Sequence, residues 1–221
     1  MHFDIQYTIE LFPIVSKYLG VTLSMAIMAT IAAIAIGLCV ALIKVFKLRY
    51  ITAVCDLYLS FFRGTPLLVQ MFLLYYGLPQ LFPILQGLDA FGAAVIALSL
   101  HFGAYMAESM RGAIIGISNS QMESAISVGM TQWQGMRRII LPQATRGAIP
   151  ALMNNTIDLL KSTSLAFTLG VAEIMAKAQM EAASSFKFFE SYLVVAIIYW
   201  LIVILMVKVQ SLVEYRLARA Y

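Results

Sequence analysis

Charge is what this sequence has least of. Only 12% of its 221 residues are Asp, Glu, Lys or Arg, about half the share of a soluble domain. A chain so poor in charge cannot coat a water-soluble globule. The two cysteines, Cys39 and Cys55, exclude a disulfide framework, and thiols near the cytosolic side stay reduced. With two histidines beside them there is no metal-ligand spacing. The phosphate loop GxxxxGK[ST] is missing, so the chain does not bind ATP in the usual way. GxSxG and HExxH are missing too. Ser99 and His101 stand two apart on one predicted helix, where their side chains diverge, so no nucleophile–base pair is visible and an intramembrane hydrolase is disfavoured. Neither an internal repeat nor a low-complexity linker breaks the chain, which reads as one all-α domain over residues 1–221.

What is present is grease: 62% hydrophobic residues and a mean hydropathy of +0.87. A bilayer core needs about 20 apolar residues per helix. Five stretches meet that length, at 18–43, 57–78, 90–110, 148–170 and 191–209, and they predict a polytopic membrane protein. The second contains Arg63, and the fourth contains Asp158 and Lys161. The N-terminus does not read as a cleavable signal, since Asp4 and Glu10 precede a first run of about 26 apolar residues, twice a typical signal core.

Lys and Arg set the orientation. With the N-terminus outside, the inner side receives Lys44, Lys47, Arg49, Arg111, Arg137, Arg138, Arg146, Lys208, Arg216 and Arg219. The outer side receives Lys17, Lys177 and Lys187. The C-terminus is then cytoplasmic. The net charge of +4 follows from this asymmetry and is no sign of nucleic-acid binding.

Residues 121–143 interrupt the apolar pattern in the longest inner loop. Met122, Ile126, Met130 and Trp133 are spaced four, four and three, which predicts one amphipathic helix at the inner surface. Pro142 is expected to stop any continuous helix from this loop into the fourth span. Gly129 lies off the stripe and offers a place for close approach by a partner; Gly129→Trp is expected to leave folding intact and block that approach. The plainer reading is a helix on lipid headgroups, with Arg137 and Arg138 at phosphates.

Polar residues inside the spans are the other anomaly. Asn154, Asp158 and Lys161 fall on one stripe of the fourth span, flanked by Asn155 and Ser162. Charges at that depth do not face lipid; they face another helix or a watery cavity. Asp158 and Lys161 can neutralise each other at i,i+3, or the face can line a path for a zwitterion. Pro66 predicts a kink in the second span, with Gly64 easing its packing. Arg63 is expected to snorkel to inner headgroups or bond inner-loop carbonyls. Thr65 and Gln70, five apart, are not expected to share a surface, although either could reach the path. Glu108 and Arg111 are spaced for an ion pair.

These residues resemble a known family. Importer-type ABC permeases share EAA, three residues, G, nine residues, I, one residue, LP. Here Glu123-Ser124-Ala125 is followed by Gly129, Ile139 and Leu141-Pro142, with Ser for the middle Ala as the one departure. FFRGTPLLVQMFLLYYGLP at 61–79, LSLHFGAYMAESMRGAI at 98–114 and NNTIDLLKSTSLA at 154–166 look like the second, third and fourth spans of the polar amino-acid branch, the histidine/glutamine/arginine/cystine permease group.

The resemblance implies five spans and a cytoplasmic coupling helix between spans 3 and 4. That helix, with Trp133 on its stripe, would dock in a cleft of a separate ATPase subunit. It implies a bacterial cytoplasmic-membrane permease that is not itself an enzyme and binds no cofactor, with ATP and Mg on an ATPase dimer. A second permease copy or paralogue and an extracytoplasmic amino-acid-binding protein would complete the assembly. The substrate would be a polar amino acid, with cystine favoured; acids that some cation-selective relatives carry around Asn155 and Ser162 are absent. Relatives commonly carry Asn in L-x-L-N-x-x-A-Y where this chain has His101. A lone His in a span is often a satisfied core residue, but this position commonly faces the path. Its charge change near pH 6.5 predicts pH-sensitive transport that His101→Asn abolishes. The alternative class is an ion-coupled carrier or channel with no ATPase, disfavoured by the lack of a repeat.

Overall fold

A computed structural model describes residues 3–47 and 49–218. Arg219 lies outside the described residues, as does the side chain of Arg49. The described chain is helical, with no strand among its elements.

Helix α1 (Ile5–Ser16) starts at Asp4, whose carboxylate accepts from the Tyr7 amide. Helices α2 (Leu19–Val45) and α5 (Ala90–Ile115) are long and apolar enough to cross a membrane, as is Phe188–Arg216 within α9 (Phe188–Ala218). Two further spans are bent pairs. One is α3 (Arg49–Gly64) with α4 (Leu67–Leu81), bent by 112°. The other is α7 (Gln132–Leu169) with α8 (Ile174–Ser185), bent by 52°. A 3-10 turn at Pro83–Leu85 leads toward α5, and a short helix, α6 (Asn119–Ser127), lies between α5 and α7. Five spans result if each bent pair counts as one.

The core is an α2–α5 pair. Ala26, Ala29, Ala33, Gly37 and Ala41 bury one stripe of α2, against Ala93, Ala94, Ala97, Ala104 and Ala107 of α5. Within lipid there is no hydrophobic drive between helices, so small residues that let backbones approach hold such a pair. A Cβ on Gly37 would lie 3.1 Å from the Ala107 nitrogen, and one on Gly103 would lie 2.9 Å from the Tyr58 hydroxyl. Lys44 at the end of α2 reaches Glu108, so the two helices run in the same direction. A second core joins α1, α8 and the start of α9 through Leu11, Val15, Ile174, Ala178, Val194 and Ile198. Fully buried Glu173 sits between the two cores. It caps α8 by accepting from the Ala176 amide at 2.8 Å and lies 3.4 Å from Thr22 and Tyr199.

The break between α3 and α4 follows from Pro66, which disfavours the helical region for Thr65 and lacks an N–H of its own. It is more than the expected kink. Gln70 closes it: its amide nitrogen donates to Phe62 O (3.0 Å), Thr65 O (3.0 Å) and Thr65 Oγ1 (2.8 Å). The expectation that Thr65 and Gln70 have no common surface fails here, because it assumed one straight helix.

Pro142 does not stop the chain. Gln132–Gly135, a π turn at Met136–Ile140 and Leu141–Ser162 follow without a gap, and 3-10 turns extend α7 to Leu169. In the π turn the Leu141 amide donates to Met136 O, five residues back. Pro142 sits where the register returns to four, at the first turn of the next α segment, a position that tolerates a missing donor. Pro150, further along, also lies inside the helix.

Candidate functional site: an elbow between spans and a polar row

The 121–143 segment forms an elbow of two helices rather than one. Gly129 has φ +85°, and its amide donates to Ile126 O while the Met130 amide donates to Ala125 O. These two bonds make a Schellman end to α6. Thr131 then starts α7 with a capping box: its hydroxyl accepts from the Gln134 amide, and the Gln134 side chain accepts from the Thr131 amide. Met122, Ile126, Met130 and Trp133 are therefore split between two helices, and the single stripe does not form. Gly129 is required by the backbone. Nothing lies within 4 Å of a Cβ there, yet any other residue would be strained, so Gly129→Trp would not leave the local fold intact.

The motif residues divide between two roles. Ala125 is buried, and a Cβ on Gly135 would lie 3.3 Å from its Cβ, so α6 and α7 cross through these two small residues. Ile139 and Leu141 are half-buried against Ile114, Met136, Ile140 and Ala144. Reciprocal amide bonds between Gln121 and Gln143, 3.1 and 2.7 Å, clamp the elbow. Phe46 at the end of α2 contacts Trp133, with ring centroids 5.9 Å apart. Glu123, Ser124, Pro142, Arg137 and Arg138 are exposed. So are Ile126, Val128 and Trp133, with Val128 77% exposed; this residue escaped the sequence reading because it lies off the helical period.

The polar residues of the spans gather at two places. Asp158 and Lys161 pair at 2.6 Å, with side chains 57% and 54% exposed. Asn154 is exposed and accepts from Gln210 of α9 at 3.3 Å. Asn155 is half-buried and donates to Ser109 of α5 at 3.1 Å; Ser162 donates to Asp158 O. The row therefore points out of this chain, and Ser109 and Gln210 join it unforeseen. His101, about two turns before Ser109 on α5, meets Gln70. Their Nδ1 and Oε1 atoms are 3.0 Å apart, and the imidazole is half-buried beside the rings of Phe102 and Tyr105. Thr65 is brought to this second group through Gln70.

Glu108 is the hub of a charge cluster joining α2, α3 and α5. It pairs with Arg111 at 2.7 Å, as the spacing predicts, and lies 3.7 Å from Lys44 and 3.9 Å from Arg63. Lys44 also holds Asp56 at 2.7 Å. The protein partner of Arg63 is thus a carboxylate on α5, with Tyr105 under its guanidinium at 5.7 Å, in place of inner-loop carbonyls. The described residues contain no group of three or more His, Cys, Asp and Glu able to hold a metal.

Comparison with known proteins fits this geometry. The chain is 62% identical to a probable amino-acid ABC transporter permease protein, PatM, of Vibrio harveyi, over all of this chain and 99% of that protein. It is 50% identical to a probable amino-acid permease protein, YxeN, of Bacillus subtilis, over 99% of this chain and 97% of that one. It is 41% identical to an L-cystine transport system permease protein of Bacillus subtilis, over 94% and 88%. The crystal structure of an amino acid ABC transporter with histidines superposes with a TM-score of 0.89 at 34% identity, covering 98% of this chain and all of that one. The MetNI methionine ABC transporter in an inward-facing form shares the fold, with a TM-score of 0.72 at 17% identity over 90% and 95%. Residues 33–219 match the family described as binding-protein-dependent transport system inner membrane component, and the chain belongs to that family as an amino-acid ABC transporter permease subunit of the bacterial inner membrane.

Proposed function

We propose that the chain forms one half of an ATP-driven importer for a polar amino acid, with cystine as the first candidate. The observation that carries this reading is the row Asn154, Asp158 and Lys161, which faces out of the chain with both signs of charge. Ionisable groups inside a membrane face a partner or a watery cavity, so whatever covers this row lies outside the chain. A second permease copy or a paralogue, enclosing a path between two such rows, satisfies that need. A path offering a carboxylate, an ammonium and amides suits a zwitterion; Asn155, Ser162, Thr65, Gln70 and His101 are further contact candidates.

The elbow supplies the other half of the mechanism. Glu123, Ser124, Ile126, Val128 and Trp133 form an exposed patch of mixed chemistry on a folded knuckle, suited to a protein cleft on a cytoplasmic ATPase dimer. ATP and Mg bind there, and this chain hydrolyses nothing. An extracytoplasmic binding protein delivers the amino acid, and the N-terminus lies outside. Ligand and nucleotide must each favour one state of the assembly over the other.

Affinity purification from native membranes in mild detergent, with mass spectrometry of the associated proteins, tests the class. The expected result is a stoichiometric ATPase carrying a phosphate-binding loop, alone or with a paralogous permease. A chain that purifies alone in several detergents, yet catalyses ion-driven uptake, would replace the importer by a carrier. Labelled L-cystine uptake into vesicles holding the complex, with L-glutamine, L-arginine and L-histidine as competitors, then tests the substrate.

A further inference from the structure

Gln70 is a side chain whose orientation chemistry decides. Its amide nitrogen lies 3.0 Å from Phe62 O, 3.0 Å from Thr65 O and 2.8 Å from Thr65 Oγ1. Two of these are carbonyl oxygens, which only accept. Turning the amide over would press Oε1 against both and leave the break at Pro66 without donors. The nitrogen therefore faces the break, and Oε1 faces His101. That oxygen accepts and cannot donate. The His101 nitrogen 3.0 Å away, Nδ1, must then carry the hydrogen. In a neutral imidazole the other nitrogen is a bare acceptor, and Nε2 has no hydrogen-bond partner among the described residues.

We infer that Gln70 holds His101 as the Nδ1–H tautomer, so that Nε2 is an acceptor reserved for the N–H donor of a ligand, the α-ammonium of an amino acid. This rests on the proposed path. Gln70 is the positioning residue and His101 the contact. An ammonium has three donors and no acceptor, so it complements a bare ring nitrogen and not a ring N–H. The arrangement also ties the ligand to the backbone. A donor that draws on Nε2 polarises Nδ1–H toward Gln70, whose amide bridges the two sides of the α3–α4 break.

The chain has two histidines, so His2→Ala leaves His101 as its only imidazole. The variant is labelled with 15N-histidine, assembled with its associated proteins prepared without label, and placed in lipid vesicles. Nitrogen NMR is expected to show Nδ1 protonated and Nε2 bare. Gln70→Leu is expected to give both tautomers. Adding L-cystine or L-glutamine should move the Nε2 resonance toward the hydrogen-bonded range, while diacetyl-L-cystine, which has no ammonium, should leave it in place. In uptake assays His101→Leu should raise KM by about tenfold or more, the loss of a bond to a charged donor, and His101→Asn, which retains an acceptor, should recover most of it. A resting state with Nε2 protonated and Nδ1 bare overturns the tautomer. The stated tautomer with an Nε2 resonance unmoved by amino acids that the same vesicles import overturns the ligand contact and leaves the importer reading intact. Vesicles that import no amino acid while their ATPase is active overturn the proposed function instead.

Discussion

Replacing Gly129 by alanine isolates what the elbow's backbone contributes. At φ +85° an L-residue with a Cβ is disfavoured by about 1–2 kcal/mol. No atom lies within 4 Å of the new methyl, so steric contact adds nothing and the whole cost is conformational. Asparagine visits the left-handed region more readily, so Gly129→Asn should cost less than alanine although it is larger. Of α6 only Ala125 is buried, so the penalty should appear as fraying of α6 from α7 and not as unfolding of the spans. A cost of this size shifts the formed-to-frayed ratio about 5–30-fold. Hydrogen exchange at the Gly129 and Met130 amides, the two Schellman donors, reads it directly: exchange should speed up by that factor in the alanine variant, with the thermal midpoint of the spans unchanged. If docking needs the formed elbow, ATPase affinity falls by no more than the competent fraction allows. Equal exchange in wild type and alanine variant, or a larger effect from asparagine than from alanine, would refute the backbone argument.

Gly37→Ala should lower the thermal midpoint in detergent. Alanine gains about 1 kcal/mol of helix propensity, but its methyl would stand 3.1 Å from a backbone nitrogen that cannot yield, and overpacking costs about 1–3 kcal/mol. Gly112→Ala, in the same protein with open space around it, should raise the midpoint; equal shifts from the two would contradict the α2–α5 contact. At the start of α1, Lys187 and the Tyr7 amide hold the Asp4 carboxyl below its ordinary value, and Asp4 holds Lys187 above its own. The lowered acid stabilises the fold above its unfolded pKa and loses that effect as pH falls through the folded value. The raised base loses its effect only as pH rises past the ordinary lysine range. Protease protection of α1 should therefore be flat from about pH 5 to 9 and fall in acid, and Asp4→Asn should remove the acid limb.

The apolar stretches were legible because a membrane span is a local property of length and composition, and α2, α5 and α9 fall where those stretches do. The bent elements were read less well, each for a physical reason. Pro66 announced a kink, but its size depends on side-chain bonds from Gln70 that replace the lost ladder, and no periodicity encodes these. Pro142 reads as a stop under i→i−4 bonding throughout; a π turn ahead of it moves the missing donor to a first-turn position that tolerates the loss. The elbow was partly legible. Gly129 followed by Thr131-x-x-Gln134 is a helix end followed by a capping box, and that signal outranks an apolar spacing that runs across it. Helices α1 and α8 left no clear mark, since each is short and is stabilised by a core assembled from residues far apart in sequence.

The unbroken course of α7 across Pro142 has a mechanical consequence. Trp133 at the elbow and Asn154 on the polar row stand 21 residues apart in one rod, about 32 Å at 1.5 Å per residue. With the elbow as fulcrum, each degree of tilt carries Asn154 sideways by about 0.5 Å. A rotation of about 10° about that fulcrum would thus sweep the amide and charge row by about 5 Å, the width of a small solute, and the length of the lever is fixed by where Pro142 allows the rod to remain whole.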